Sequence, residues 1–267
     1  MSRAYFYVVD RDFGFAPNPF HGTCTLATCK PNIRANAQRG DWVVGMGGAR
    51  LKAEGRCAFA MKVTEACSFT EYWNDPGYRA KRPVRNGSLK MMVGDNIYRR
   101  RPEDGEWIQL DSHHSNADGT TNLDNLAHDT KADRVLISRC FVYFGRAAIA
   151  LPTACVRELG YKNSRGYRVY DQEEFGRSIN WLELITTKNL NQVIGDPFDF
   201  DKAARRQRPA GHGVGLPAFE DRARTVGRRR ACGHRRRLVL GEVVAARVGV
   251  DHRAHVERVA DDVLFDS

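Results

Sequence analysis

Apolar and β-branched residues occur in short runs along the first two hundred residues, and this spacing predicts more strands than helices. Residues 5–9 read Tyr-Phe-Tyr-Val-Val, which is typical of a strand. Similar runs predict extended segments at residues 23–29, 41–46, 57–65, 134–138 and 141–144. Residues 96–99 and 107–110 are expected to pair as a hairpin.

Two segments carry helix signals. Pro31 suits a first helical turn and Gly40 acts as a breaker, which predicts a helix at residues 31–38. Asp171 and Glu174 have the spacing of a capping box. The apolar residues that follow at helical spacing are Phe175, Ile179, Leu182 and Ile185. Together these elements predict an α+β protein, with a small barrel-like or curled mixed sheet and flanking helices.

Charge and composition change near residue 202. The chain has a net charge of +10. Residues 1–202 hold 28 basic and 24 acidic residues, whereas residues 203–267 hold 14 arginines, no lysine and 8 acidic residues. The sequence therefore predicts a core domain at 1–202 and a poorly ordered, Arg-rich tail at 203–267.

Three interpretations of the tail are open. Short arginine runs often bind nucleic acid. The apolar run at residues 238–250 could instead form a strand or helix of a structured cap. The segment lacks lysine and is rich in Arg, Ala, Gly and Val. This composition is also typical of a GC-rich gene that is translated out of its ancestral reading frame, and we favour this third interpretation. The net charge is therefore weak evidence for nucleic-acid binding.

Several classes of protein are disfavoured. No stretch reaches the roughly 18 apolar residues that a membrane helix needs, and the first ten residues lack a signal-peptide pattern. Seven scattered cysteines without a Cys-x-x-Cys pattern indicate free thiols in a reducing compartment. We therefore expect a cytoplasmic protein without a membrane partner, a metal or a cofactor.

One short stretch resembles a known class of domain. Residues 39–44 read Arg-Gly-Asp-Trp-Val-Val, and a glycine pair and an Ala-rich strand ending at Glu65 follow. This order is similar to the PUA-like barrel domains, including the EVE and ASCH domains. There a Gly-Asp pair, here Gly40 and Asp41, turns the chain into a barrel strand. The resemblance implies a pocket for a nucleobase or an RNA segment.

A longer set of motifs covers most of residues 1–200. The motifs lie at residues 21–22, 26–34, 40–42, 94–98, 114–115, 129–130 and 135–145. Together they resemble the nucleotide modification associated domain 2 family, a prokaryotic and phage group linked to DNA base modification systems. The resemblance implies a nucleotide-related role without specifying a reaction, and it ends near residue 201.

A first cluster of candidate ligand contacts comprises His21, Lys30 and Arg34. A histidine beside a glycine can approach a ligand closely, and its imidazole titrates near neutrality. Lys30 and Arg34 can reach phosphate. The alternative is a solvated helix face beside a core histidine.

A second cluster follows Asp111, where His114 and Ser115 are expected to contact a base edge or to organise the loop. A serine hydrolase is disfavoured, because the members of a catalytic triad converge from separate segments and these residues are adjacent.

A third cluster comprises Asp95, Asn96, Tyr98 and Arg99. The Asp-Asn pair favours a turn, and the arginine could face phosphate. The alternative is a charged edge strand that resists aggregation. Tyr143 is a further candidate, because an aromatic ring can stack on a base.

We expect loops from separate segments to meet around one pocket. The leading hypothesis is a module that binds a nucleobase or nucleotide beside base-modifying or restriction enzymes, in a prokaryotic or phage DNA modification or defence system. The runner-up is an enzyme in which His21 or His114 is the general acid–base and Asp95 or Asp111 orients it. A third possibility is an interaction protein without a ligand. A catalyst should hold a histidine and a carboxylate about 3 Å apart in one cleft, whereas a binding module needs only an aromatic wall and backbone donors.

Overall fold

The computed structural model describes residues 2–206. Within this part the strands are β1 (Arg3–Val9), β2 (Cys24–Leu26), β3 (Trp42–Gly47), β4 (Arg56–Lys62), β5 (Glu65–Cys67), β6 (Tyr98–Arg100), β7 (Trp107–Gln109), β8 (Val135–Ser138), β9 (Phe141–Tyr143), β10 (Ile149–Ala150), β11 (Tyr167–Asp171) and β12 (Gln192–Val193). The α-helices are α1 (Pro31–Asn36), α2 (Phe69–Asn74), α3 (Leu89–Met92), α4 (Leu123–Asp129), α5 (Thr153–Glu158), α6 (Gly176–Lys188) and α7 (Phe200–Arg206). The predicted tail at 203–267 lies almost wholly outside the described residues.

The strands form three sheets. The largest has the order β11-β1-β3-β4-β9-β12, with β10 also paired to β4. The pairs β1–β3 and β9–β12 are parallel, and the other pairs are antiparallel. A three-stranded sheet has the order β2-β8-β5, and β6 pairs with β7 as the predicted hairpin. The mixed α+β class that the sequence predicts is confirmed.

The predicted barrel is not formed, and this expectation was wrong. Within residues 2–206 the large sheet is open, because β11 and β12 are its two edges and each pairs on one side only. Alternation of inward and outward side chains is the same in an open and a closed sheet, so the sequence pattern does not distinguish them. Gly40 and Asp41 do turn the chain into β3, but β3 belongs to an open sheet.

Strand β1 is buried on both faces, which explains its continuous apolar sequence. Ala4 and Phe6 pack into a cluster that includes residues of α5 and α6, whereas Tyr5 and Tyr7 pack into a cluster that includes residues of β2, α1 and β8. The large sheet is therefore covered by helices on one face and by the small sheet with α1 on the other.

The crossover from β1 to β3 runs through β2 and α1. Cys29 (φ 55°) and Lys30 (φ 42°) both adopt left-handed backbone and turn the chain into α1, where Pro31 takes the first position. The helix ends at Asn36 rather than Gln38. The turn into β3 ends it, because Asp41 accepts hydrogen bonds from the backbone N–H of Gln38 and of Arg3 at 2.8 Å each.

The second half differs from the sequence expectations in two places. No helix was expected at residues 123–129, which form α4, and Asn122 caps it by accepting from the N–H of Asn125 at 2.9 Å. Helix α6 begins at Gly176, whereas Asp171 closes β11 by pairing with Arg3. Asp171 and Glu174 interact, but across a turn, with the N–H of Asp171 donating to the Glu174 carboxylate at 2.9 Å.

Within residues 2–206, no helix combines the length and apolar character needed to cross a membrane.

Candidate functional site

A pocket of about 380 Å³ opens where β1 ends. Its walls come from the end of β1, the loop after it, the turn before α1, and the loop around residues 113–114. Tyr7, Phe13 and Phe15 contribute aromatic rings to the lining, and Cys29 and Lys30 also belong to it. Of the residues that were expected to meet around one pocket, Lys30 and His114 line this one.

A connected chain of side chains runs from Cys29 through His114 to Asp129, which is buried and does not itself line the pocket. The Cys29 Sγ lies 3.6 Å from His114 Nε2. The other ring nitrogen of His114, Nδ1, lies 2.7 Å from Asp129 Oδ2. A thiol, an imidazole and a carboxylate in this order are the arrangement in which a histidine activates a cysteine and a carboxylate orients the histidine.

Asp129 is held in place by two further donors. Its Oδ1 accepts from the backbone N–H of Cys29 at 2.7 Å, and its Oδ2 also accepts from the Tyr98 hydroxyl at 2.8 Å. Asp129 is fully buried at the end of α4. Because both oxygens are engaged, the carboxylate is fixed relative to the cysteine backbone as well as to the histidine ring.

Neighbouring side chains fix the backbone on both sides of this set. The buried Arg34 guanidinium donates to the carbonyls of Cys29 (2.9 Å) and Asp129. The His114 carbonyl accepts from the amides of Gln109 at 3.2 Å and Asn125 at 2.8 Å. We infer that the site is preorganised, because buried, satisfied polar networks rigidify a structure.

The charge state of this set follows from its contacts. Burial alone would lower the pKa of His114, but its hydrogen bonds to Asp129 and Cys29 outweigh that effect and raise the pKa to about 10. Burial alone would raise the pKa of Asp129, but the His114 hydrogen bond and charge lower it. An imidazolium therefore lies beside the Cys29 sulfur.

The same three side chains could in principle hold a metal ion, because their ligand atoms all lie within 4.8 Å of one another. The hydrogen bonds do not suit that interpretation. Both Asp129 oxygens and His114 Nδ1 already have hydrogen-bond partners within the protein, and Cys29 Sγ and His114 Nε2 contact each other, so a metal ion would have to displace these contacts. Structural zinc sites have four ligands and catalytic zinc sites have three protein ligands, so a zinc ion here would need all three of these side chains at once.

Groups around the pocket can bind a flat, charged ligand. The Lys30 ammonium lies 4.6 Å from the centre of the Tyr7 ring, and the exposed Arg11 adds a second cation to the lining. The Tyr7 side chain is buried, and its hydroxyl has no hydrogen-bond partner among the described residues. Burial raises the pKa of this hydroxyl, so it remains a neutral donor.

Four residues of the sequence-based candidate set belong to this site. Lys30 and His114 line the pocket, whereas Tyr98 and Arg34 lie beneath it and support Asp129. Arg34 was expected to reach phosphate, but it is fully buried and donates to four backbone carbonyls.

Other candidates lie elsewhere. The exposed His21 does not line the pocket. Asp41 shapes the turn before β3. Asp95 is fully buried and accepts from the hydroxyls of Thr25 at 2.7 Å and Tyr72 at 2.8 Å.

The remaining candidates have structural contacts of their own. Buried Asn96 donates to backbone carbonyls, and the Arg99 guanidinium lies 5.3 Å from the Trp73 ring centre. Asp111 forms an ion pair with Arg85.

Two more of them also lie outside the pocket lining. Ser115 hydrogen-bonds within its own loop, for example to the Ser112 carbonyl at 2.9 Å. Tyr143 is buried and donates to Asp12. The carboxylate that contacts His114 is therefore Asp129 and neither Asp95 nor Asp111.

Sequence reasoning missed Cys29 as a reactive group and Asp129 altogether as a site residue. Cys29 was noted among the scattered thiols and within the motif at residues 26–34, but no chemical role was assigned to it. Asp129 was part of the motif at residues 129–130, which was the available signal. It was not selected because it ends a helix that the sequence did not predict.

Comparison with known proteins places the chain in a family. Neither a curated protein nor a solved structure matches it. The nucleotide modification associated domain 2 family matches residues 1–204, which is most of the chain and includes every residue of the pocket and its supports. The protein therefore belongs to the nucleotide modification associated domain 2 family.

Proposed function

We propose that this protein is a cysteine-dependent enzyme of a nucleotide modification system, in which Cys29 forms a covalent bond to a carbonyl carbon of its substrate. The observation that carries this proposal is the Cys29–His114–Asp129 chain at the edge of a pocket, with contacts of 3.6 and 2.7 Å. The His114–Asp129 distance supports this proposal because a catalyst needs a histidine and a carboxylate about 3 Å apart, although His114 lines the pocket and Asp129 is buried outside its lining.

Each residue has a separate role in this mechanism. The Cys29 thiolate attacks the carbonyl carbon, and His114 Nε2 gives a proton to the departing group. Asp129 holds the imidazole in the orientation and tautomer that direct Nε2 at the sulfur. Tyr98 acts through Asp129 and is a positioning residue.

The pocket lining supports a nucleotide as substrate. Aromatic rings such as Phe13 and Phe15 can stack on a heterocycle, and Lys30 and Arg11 can attract phosphate. Family membership points to the same chemistry. The earlier leading hypothesis, binding without catalysis, accounts for this lining but gives no reason for the His114–Asp129 pair, so we rank it second.

Alkylation kinetics test the proposal. The full-length protein is treated with iodoacetamide at pH 7, and each cysteine is quantified by peptide mapping. Cys67 is the matched internal control, because burial and then Glu71 raise its pKa to about 12. We expect Cys29 to react at least roughly tenfold faster than Cys67. Cys29→Ser should abolish the fast phase, and Cys67→Ser should preserve it.

Two results would count against a catalytic thiol. In the first, Cys29 reacts no faster than Cys67. In the second, EDTA sharply accelerates Cys29 alkylation, which would indicate a metal bound to the sulfur.

A further inference from the structure

A second pocket, of about 360 Å³, lies against the same turn as the first. Cys29 and Lys30 line both pockets. The second is otherwise lined by α1 together with His128 of α4 and Tyr167 of β11. Cys29 therefore lies at the boundary between the two pockets.

The two compartments differ in chemistry. The first has basic groups and aromatic rings, including Arg11 and Phe13. The second has a mostly apolar surface, on which Pro31 and Tyr167 lie beside the polar residues Asn32 and His128. Tyr167 belongs to the edge strand β11 and is 41% exposed. An apolar compartment of this kind suits a hydrocarbon group rather than a phosphate.

Two compartments at one nucleophile suit a transfer reaction. In an acyl-cysteine, the acyl chain extends to one side of the thioester carbonyl. The group that leaves in the first step, and the group that attacks in the second, approach from the other side. A hydrolase needs only water on the second side, whereas a transferase must hold a second molecule.

Building on the proposed function, we propose that the protein transfers an apolar acyl group to a nucleotide. The acyl chain occupies the second pocket, between α1 and Tyr167. The acceptor is the exocyclic amine of a nucleobase in the first pocket.

The reaction is balanced without an oxidant or reductant. The Cys29 thiolate attacks the carbonyl carbon of an activated acyl ester or thioester. The C–S bond forms, the bond to the leaving group breaks, and His114 protonates that group. The acceptor amine then attacks the acyl-cysteine and gives a proton to His114. The C–S bond breaks, and Cys29 returns to the thiolate.

Chain-length dependence tests the acyl pocket. The full-length protein is mixed with p-nitrophenyl acetate, butyrate, hexanoate or octanoate, and p-nitrophenolate release and acylation of Cys29 are followed by absorbance and mass spectrometry. Rates are divided by those of free cysteine with the same ester. We expect the corrected rate to rise roughly two- to fourfold per added methylene until the pocket is filled.

A matched pair of variants ties this preference to the second pocket. Tyr167→Glu places a carboxylate at its edge and should reduce the octanoate-to-acetate rate ratio at least roughly tenfold. Val169→Glu is the control, because Val169 is on the same strand, is also 41% exposed and does not line the pocket. It should leave the ratio unchanged.

The acceptor is tested on octanoyl-Cys29 protein. dAMP, dCMP and dGMP carry exocyclic amines, and dTMP does not. We expect at least one of the first three to speed decay of the acyl-cysteine and to appear as an octanoyl amide, with no amide from dTMP.

The outcomes separate the two proposals. Equal corrected rates for acetate and octanoate, or a preference that Tyr167→Glu leaves intact, would overturn the acyl pocket. Decay to octanoate alone with all four nucleotides would overturn transfer. In these cases Cys29 is still acylated and the proposed function stands. Failure of every ester to acylate Cys29 would overturn both.

Discussion

Asp129 accepts hydrogen bonds from three different segments of the chain. Its partners are the backbone of Cys29, the hydroxyl of Tyr98 and the imidazole of His114, all between 2.7 and 2.8 Å. A buried carboxylate is costly unless such donors compensate it. The position of the imidazole relative to the sulfur therefore depends on this single side chain.

Asp129→Asn keeps the size of the side chain but replaces one acceptor oxygen with an amide donor. The imidazole then loses the partner that orients Nδ1, and we expect iodoacetamide to alkylate Cys29 at least roughly 10²-fold more slowly. The measurement is the second-order alkylation rate at pH 7.

Asp111→Asn is the control for this substitution. Asp111 was one of the two carboxylates, with Asp95, that the sequence offered as a partner of the catalytic histidine, but its own partner is Arg85. We expect no change in the Cys29 rate. A larger effect at Asp111 than at Asp129 would show that the orienting carboxylate has been misassigned.

At the scale of elements, a second buried polar network joins β2, α2 and the turn before β6. Asp95 accepts hydrogen bonds from Thr25 and Tyr72, and the Lys81 ammonium donates to the Asn18 side chain at 2.8 Å and to the Thr23 carbonyl at 3.0 Å. Burial raises the pKa of Asp95 to about 6 and lowers that of Lys81 to about 8. This network links three elements behind the site and does not itself line the pocket.

The raised pKa of Asp95 predicts a pH-dependent stability. The folded chain binds this proton more tightly than the unfolded chain, whose carboxyl has the ordinary value of 3.8. The contribution is therefore fully present below about pH 3.8 and is lost as pH rises through about 6. We expect the free energy of unfolding of the wild type, relative to Asp95→Asn, to fall by roughly 1–3 kcal/mol between pH 4 and pH 7.

Urea unfolding of both proteins at pH 4, 5, 6 and 7 measures this difference. Subtracting the variant removes the contributions of the other carboxyl groups. A difference that is constant across the four pH values would contradict the raised pKa of Asp95.

At the scale of the whole molecule, the last described helix packs on the loop that begins the pocket. The Phe200 ring stacks on Phe20 with their centres 5.4 Å apart. The N–H of Asp199 donates to the Asp12 carbonyl at 2.7 Å. The loop from Asp12 to Phe20 also supplies Phe15 to the pocket wall, so the start and the end of the described chain stabilise one another beside the site.

This contact predicts where the chain can be shortened. A chain ending at residue 198 loses Phe200, which is buried, and should be roughly 3 kcal/mol less stable than a chain ending at residue 206. Thermal and urea unfolding of the two chains measure the difference. Equal stability would show that α7 contributes nothing to the fold. A boundary at residue 202, where the composition changes, would cut this helix.

The sequence predicted the parts of the fold that depend on local pattern. The apolar runs predicted β1, β3, β4, β8 and β9 correctly. A strand that is covered on both faces needs consecutive apolar side chains, and this pattern is visible in the sequence. Helix α4 was missed because its sequence, Leu-Asp-Asn-Leu-Ala-His-Asp, is mainly polar and exposed. Helix α6 was predicted from its apolar spacing, but its start was misplaced because Asp171 is used in β11.

The sequence by itself therefore determined the elements, the α+β class and, through its motifs, the family. The tertiary structure alone decided that the sheet stays open and that Cys29 meets His114 and Asp129, which lie 85 and 100 positions further along the chain. The physical reason is that the pattern of hydrophobic residues indicates which residues are buried and whether they recur with the period of a helix or of a strand. Which residues touch is set by how the crossover through α1 and the loop before α4 pack beside the end of β1.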